Sequence, residues 1–209
     1  MGFMAKILAN LRNTVSLSLA IAFVFVVGYG MHYAKANQGQ IDAVYWQAVL
    51  RFIHVLSGIM WIGLLYYFNF VQIPKMAEIP AEQKPAVTKF IAPAALFWFR
   101  WAAFSTWVFG VLIAINRGYL LQAATLGATE GFRVPQHTFI GVGMWLATIM
   151  FLNVWGIIWP NQKIALGIKE ADADAKAKAG RIAMLASRTN TLLSIPMLTT
   201  MAMNQTIFG

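Results

Sequence analysis

The chain has 209 residues and 23.2 kDa, is 59% hydrophobic and only 11% charged, with a mean hydropathy of +0.63, which excludes a water-soluble globular domain. Its net charge of +9 would suggest nucleic acid in a soluble protein, but the bases cluster between apolar runs, a pattern of membrane orientation, so no nucleic-acid partner is expected. With no cysteine, disulfides, thiolate metal sites, cysteine nucleophiles and covalent c-type haem attachment are all excluded, and any redox cofactor must be held by nitrogen, oxygen or thioether ligands.

Five apolar stretches, at about 15–32, 46–73, 93–116, 137–159 and 190–208, each approach or exceed the ~20 residues that a bilayer crossing needs. They predict an all-α, polytopic membrane bundle of about five helices in a single membrane domain spanning 1–209. The first stretch is expected to stay as an anchor; Lys6 and Arg12 before it and Ala34-Lys35-Ala36 after it leave a cleaved secretory signal as the alternative. Pro93 opens the third stretch, Pro160-Asn161 is expected to stop the fourth, and Pro196 should kink the fifth. Between the last two stretches, 161–188 is rich in alanine, with Asp172/Lys176 and Asp174/Lys178 four residues apart, and predicts a surface helix.

Lysine and arginine gather on the cytoplasmic side of a membrane. Alternate connections place eleven of them (Lys6, Arg12, Lys75, Lys84, Lys89, Lys163, Lys169, Lys176, Lys178, Arg181, Arg188) on one side and four (Lys35, Arg51, Arg117, Arg133) on the other. The expected topology is therefore N-terminus cytoplasmic and C-terminus periplasmic, in a bacterial inner membrane. Most of the eight tryptophans fall near stretch ends and read as interfacial anchors. Gly58, Gly63, Gly141 and Gly143 read as sites of close helix packing.

This topology brings the three histidines to one leaflet: His32 as the first helix exits, His54 in the outer part of the second, and His137 at the start of the fourth. Imidazole is the commonest nitrogen ligand for iron, copper and zinc, and haem b needs only axial side-chain ligands when no cysteine is present. Arg51, His54, Gly58, Trp61 and Leu65 recur at three- and four-residue spacing and share a helix face. On that face Gly58 leaves room for a flat ring, Trp61 adds an aromatic wall, and Arg51 suits a carboxylate such as a haem propionate. Haem b is the cofactor expected, with His54 as one ligand and His137 or His32 as the second; copper is the alternative metal. The plainer readings stay open: hydration for His32 and His137 at the water boundary, a helix-to-helix hydrogen bond for His54.

Arg100 lies about seven residues into the third stretch, and no Asp or Glu lies within any of the five. It is expected to snorkel or to meet a backbone carbonyl, a lipid phosphate or an anion. Asn69 and Asn153 read as polar bridges between helices. Met31, Met60 and Met144 are soft donors in principle, but eleven methionines in an apolar chain are mostly packing. Phosphate loops, zinc-protease motifs, nucleophile elbows and intramembrane carboxylate pairs are absent from the sequence, which argues against hydrolases, nucleotide-driven pumps and proton-coupled carriers.

Four segments, RFIHVLSGIMWIGLLYYFNF at 51–70, PAALFWFRW at 93–101, VWGIIWPNQK at 154–163 and SRTNTLLSIPML at 187–198, resemble the membrane domain at the N-terminus of bacterial urate oxidase. The 51–70 segment is similar, more weakly, to the first helix of bacterial membrane protoporphyrinogen oxidase and of copper-resistance membrane proteins, where the corresponding histidine would be His54. The resemblance implies haem or copper near the outer surface. It also implies that longer members carry a following cytochrome c domain; this sequence has no cysteine for that haem, so urate oxidation by the chain alone is not expected. The functional expectation is electron transfer with a periplasmic cytochrome or a quinone as partner. The alternative is a non-catalytic subunit packed in a larger respiratory or energy-converting membrane complex, with lipid around it in either case.

Overall fold

The computed structural model describes residues 2–208, and these are all-α, with helices and no strand among them. A short helix, Phe3–Leu8, precedes five long ones, here α1 (Leu11–Ala36), α2 (Ala43–Met76), α3 (Lys84–Asn116), α4 (Pro135–Ala165) and α5 (Ala173–Ile207). The first four are long and apolar enough to cross a membrane. By its contacts the chain divides into two units, Met1–Val49 and Leu50–Gly209.

In the N-terminal unit, Asn10 caps α1 by accepting from the backbone N–H groups of Arg12 and Asn13. Near the other end of α1, Tyr33 donates from its hydroxyl to Asp42 at 2.9 Å, and Tyr45 donates to the Val26 carbonyl at 2.6 Å. Asp42 also accepts from Val44 and Tyr45 N–H, starting α2. The Tyr33 hydroxyl, then these backbone donors and Asn37, hold the Asp42 carboxyl below the usual carboxylate range. Gly30 is needed where Tyr45 crosses, because a Cβ there would stand 2.8 Å from the tyrosine oxygen.

The second unit is a closed ring of four helices in which every neighbour runs antiparallel. Ser57 and Ser105 (2.8 Å) and the Phe68–Phe99 ring pair join α2 to α3. Trp107 donates to Thr148 (3.0 Å) and Trp101 meets Trp155 edge-on between α3 and α4. Asn153 donates to Asn190 (2.9 Å) between α4 and α5. Asn69 donates to Ser187 (2.8 Å), Tyr66 pairs with Ser194 (3.0 Å) and Arg51 donates to Gln205 (3.4 Å), closing the ring between α5 and α2. Trp61, Leu65, Phe99, Met150 and Val154 are fully buried at its centre. In lipid such a core is held by close packing and interhelical hydrogen bonds rather than by expulsion from water.

Two expectations about prolines are corrected. Pro160 does not stop α4, and Pro93 does not open α3; each helix runs through, as α2 does through Pro74. The physical reason is the same three times. A proline has no N–H and its ring collides with the carbonyl four residues back. Here those carbonyls belong to Phe70, Lys89 and Gly156, and each lies in a π-helical turn, Tyr67–Gln72, Val87–Ile91 or Asn153–Ile158. In each the residue just before the proline donates to a carbonyl five residues back (Ile73 to Phe68, Ala92 to Val87, Trp159 to Val154), so the ladder is already widened where the proline ring enters. Pro196 lies within α5 with no such turn, and the helix continues through it to Ile207.

The fifth apolar stretch is helical but is not a separate element, because it joins the predicted connector in the 35-residue α5. It is also less apolar than the other four, and its polar residues face inward: Asn190, Ser194, Thr200 and Asn204 are buried, whereas Leu192 is 75% and Ile195 65% exposed. A helix with polar side in and apolar side out is built for a lipid surround. Together with the four apolar helices, this makes the chain a multi-pass membrane protein with lipid against its outer faces.

Candidate functional site

Between α2, α3, α4 and α5, at the end of the ring marked by Arg51, lies a cavity of about 520 Å³. That is within the ~300–1,000 Å³ usual for cofactor and small-molecule sites. Its body is apolar, walled by Val55, Ile59, Ile62, Ile113, Ile140 and Leu198, and its lining contains no acidic residue. Arg51, Arg117, Tyr119 and Gln205 stand among the lining residues at the Arg51 end.

His54 lines this cavity, and its Nδ1 lies 2.8 Å from the Thr106 carbonyl oxygen. A carbonyl can only accept, so Nδ1 carries the proton and Nε2 keeps its lone pair, with no protein partner among the described residues. Metal-binding histidines are commonly oriented in this way, by giving the other ring N–H to a backbone carbonyl. The imidazole reaches α3 because residue 110 is glycine: a Cβ there would stand 3.0 Å from His54 Cε1. Gly58 also lines the cavity, and a Cβ at that position would meet only Thr106 Cγ2, at 3.8 Å, so the space beside it is open.

The expected shared face of α2 is present, with Arg51, His54, Gly58 and Trp61 all in the lining. Trp61 is wholly buried, and among the described residues its Nε1 has no acceptor and Asn204 Oδ1, also buried in the lining, has no donor. Each leaves a hydrogen-bonding group unused at the cavity wall, where isolation is costly.

His54 and His137 do not share the cavity. His137 lies at the same end of the ring but outside the cavity: its Nδ1 is 2.6 Å from Glu130 Oε2 and its ring stacks on Tyr119, with centroids 5.9 Å apart. Tyr119 thus stands between His137 and the cavity space. Burial pushes the Tyr119 phenol up, while Arg117 and Arg51 pull the other way. His32 belongs to the N-terminal unit, on α1. Among the described residues there is no group of three or more His, Cys, Asp or Glu able to hold a metal ion. The other soft donors in the lining are Met144, Met197 and Met201. Of these the sequence singled out only Met144, because the other two are lost among eleven methionines until α5 is laid against α2.

At the opposite, lysine-rich end, Arg100 finds a partner the sequence did not suggest. Its guanidinium lies 3.4 Å from the Trp159 ring centroid, a cation–π contact, with Lys163 5.6 Å away from the same ring. Trp159 is therefore a platform for cations as well as an end-of-helix aromatic. Asn69 donates to both the Leu65 carbonyl and Ser187, and Asn153 reaches Asn190, which in turn donates to the Met150 carbonyl. These bonds tie helices together.

Residues 114–208 match the family described as Urate oxidase N-terminal. The match takes in the end of α3, all of α4 and α5, and the cavity residues Arg117, Tyr119, Met144, Met197, Met201 and Asn204; Arg51, His54, Gly58 and Gly110 lie before it. No curated protein and no solved structure matches the chain. Through residues 114–208, a little under half of its length, the chain is similar to the urate oxidase N-terminal family.

Proposed function

We propose that this membrane protein holds haem b in the His54 cavity and serves electron transfer. The observation that carries the reading is the His54–Thr106 bond, which commits Nδ1 as donor and leaves Nε2 as the one imidazole lone pair in an apolar cavity. The donor set fits the group: an imidazole, thioethers, two guanidiniums for carboxylates, and no acidic residue in the lining to repel them. When bound, haem b supplies reversible one-electron chemistry. The chain's own residues do the rest. His54 would ligate it, the Thr106 carbonyl fixes the imidazole tautomer, Gly58 and Gly110 keep space beside the imidazole, and Arg51 and Arg117 would hold the propionates. Trp61 Nε1 and Asn204 Oδ1 offer a donor and an acceptor at the wall.

In this reading the Arg51 end faces the periplasm of a bacterial inner membrane, where a cytochrome or a quinone exchanges electrons with the site. Single-copy copper held by the same His54 and methionines is the competing metal chemistry. The purified protein is expected to show a Soret band that is absent from His54→Ala, with the variant still folded by its thermal unfolding in detergent. A colourless, iron-free wild type overturns the proposal. If that colourless protein also copurifies with other respiratory subunits, the scaffold role within a larger complex takes its place; copper in metal analysis replaces haem with the soft-metal site.

A further inference from the structure

We infer that the second axial ligand of the His54 site is a methionine thioether, that of Met201. This rests on the haem reading above and goes beyond it, because the expected partner in the same unit, His137, does not line the cavity. Among the lining residues, the strong-field donors for iron besides His54 are the thioethers of Met144, Met197 and Met201. The remaining polar groups are amides, hydroxyls and guanidiniums, and Thr106 Oγ1 is already committed to the Ala102 carbonyl.

The register of α2 against α5 separates the three. Going inward on α2 from Arg51 to Tyr66 to Asn69 means stepping back on α5 from Gln205 to Ser194 to Ser187. His54, one turn inward from Arg51, is therefore level with Met201 and Ala202. Met197 lies about 6 Å deeper by helix rise, level with Ile59. On α4, Gly143 marks the level of Thr200 and Met201, and Met144 lies one residue further inward. Helices α2 and α5 are direct neighbours in the ring, so a ligand from each reaches one site, whereas α4 is diagonal to α2.

Met201 is also held inside the ring. A Cβ on Gly143 would stand 3.2 Å from Met201 Cε, so the side chain lies against bare α4 backbone rather than in lipid. Methionine opposite histidine raises the reduction potential relative to a pair of histidines, because the thioether favours ferrous iron.

The test uses the full chain purified in detergent, comparing wild type with Met201→Leu, Met144→Leu and Met197→Leu, each of nearly conserved volume. Wild type is expected to be low-spin in the reduced state, slow to bind carbon monoxide, and to show the charge-transfer absorption of thioether-ligated ferric haem. Met201→Leu is expected to keep its Soret band through His54 but to turn high-spin when reduced, bind carbon monoxide readily, and lose that absorption, with a lowered midpoint potential. The other two variants keep the wild-type spectrum. An unchanged spin state in Met201→Leu, or the same loss in Met144→Leu or Met197→Leu instead, overturns the assignment while haem binding stands. A wild type with no Soret band overturns both. A Met201→His variant checks against simple misfolding, since it restores the low-spin state with the absorption of a histidine pair and a lower potential.

Discussion

The two ends of the four-helix ring are built from the same kinds of residue and yet are opposites. At the lysine-rich end amide side chains bridge the helices, Asn69 to Ser187, Asn153 to Asn190 and Asn190 to the Met150 carbonyl, and the interior is filled by Phe68, Phe99 and Ile158, although Asn69 Oδ1 and Arg100 Nη1 are left without a hydrogen-bond partner among the described residues. At the Arg51 end the helices leave about 520 Å³ between them, and Trp61 Nε1 and Asn204 Oδ1 in its wall have no partner among the described residues. The first end is organised for stability, the second for a guest. A buried polar group with no protein partner loses hydrogen bonds worth roughly 1–3 kcal/mol, a cost that a ligand offsets only where there is space for one, as at the Arg51 end. The contrast teaches that function here follows from what packing omits.

The sharpest way to break the contrast is to fill the empty end. Gly58 has open space beside it, so Gly58→Trp projects an indole into the cavity with little strain on the backbone. We expect haem content, read as Soret absorbance per protein, to fall at least tenfold, because the ring system and the indole claim the same volume. The melting temperature of the cofactor-free protein is expected to stay level or rise, since a void loses contacts that a side chain restores. A full complement of haem in Gly58→Trp would place the cofactor elsewhere.

Asn190→Ala attacks the other end. Asn190 is wholly buried, accepts from Asn153 and donates to Met150, so its loss leaves the Asn153 amide without its partner. Destabilisation of about 1–3 kcal/mol is expected, near the upper range for interhelical bonds in membrane bundles, measured by unfolding in detergent. Haem content per folded protein should not change. If it falls in proportion to stability, the two ends are coupled and the division between them fails.

How much of this could be read from sequence follows the range of each interaction. The helix face of Arg51, His54, Gly58 and Trp61 was legible because a 3.6-residue period is local, and the lining contains all four. So was the all-α, multi-pass architecture. Gly110 and Thr106 were not legible, because their importance exists only where α3 crosses His54. Nor were Met197 and Met201, whose neighbours are set by antiparallel register. Trp159 read as a membrane anchor since nothing local links it to Arg100, 59 positions earlier in the sequence. The prolines misled for a different reason: the rule that proline ends a helix assumes regular α turns, and the π turns before Pro74, Pro93 and Pro160 remove its premise.

The smallest expected effect sharpens the comparison from within the open end. Ser57 and Ser105 share a hydrogen bond of 2.8 Å, close in sequence to His54 and Thr106, but the pair is only part-buried. Ser57→Ala removes that bond without opening a cavity larger than one oxygen, and interhelical bonds of this kind average about 0.6 kcal/mol in membrane proteins. The melting shift should therefore be a fraction of that for Asn190→Ala, and the Soret band should be unmoved, because the His54–Thr106 bond alone orients the imidazole. A large loss of haem in Ser57→Ala would mean that the spacing of α2 and α3 is set by the serine pair. The cavity would then depend on a bond at its flank rather than on the glycines that line it.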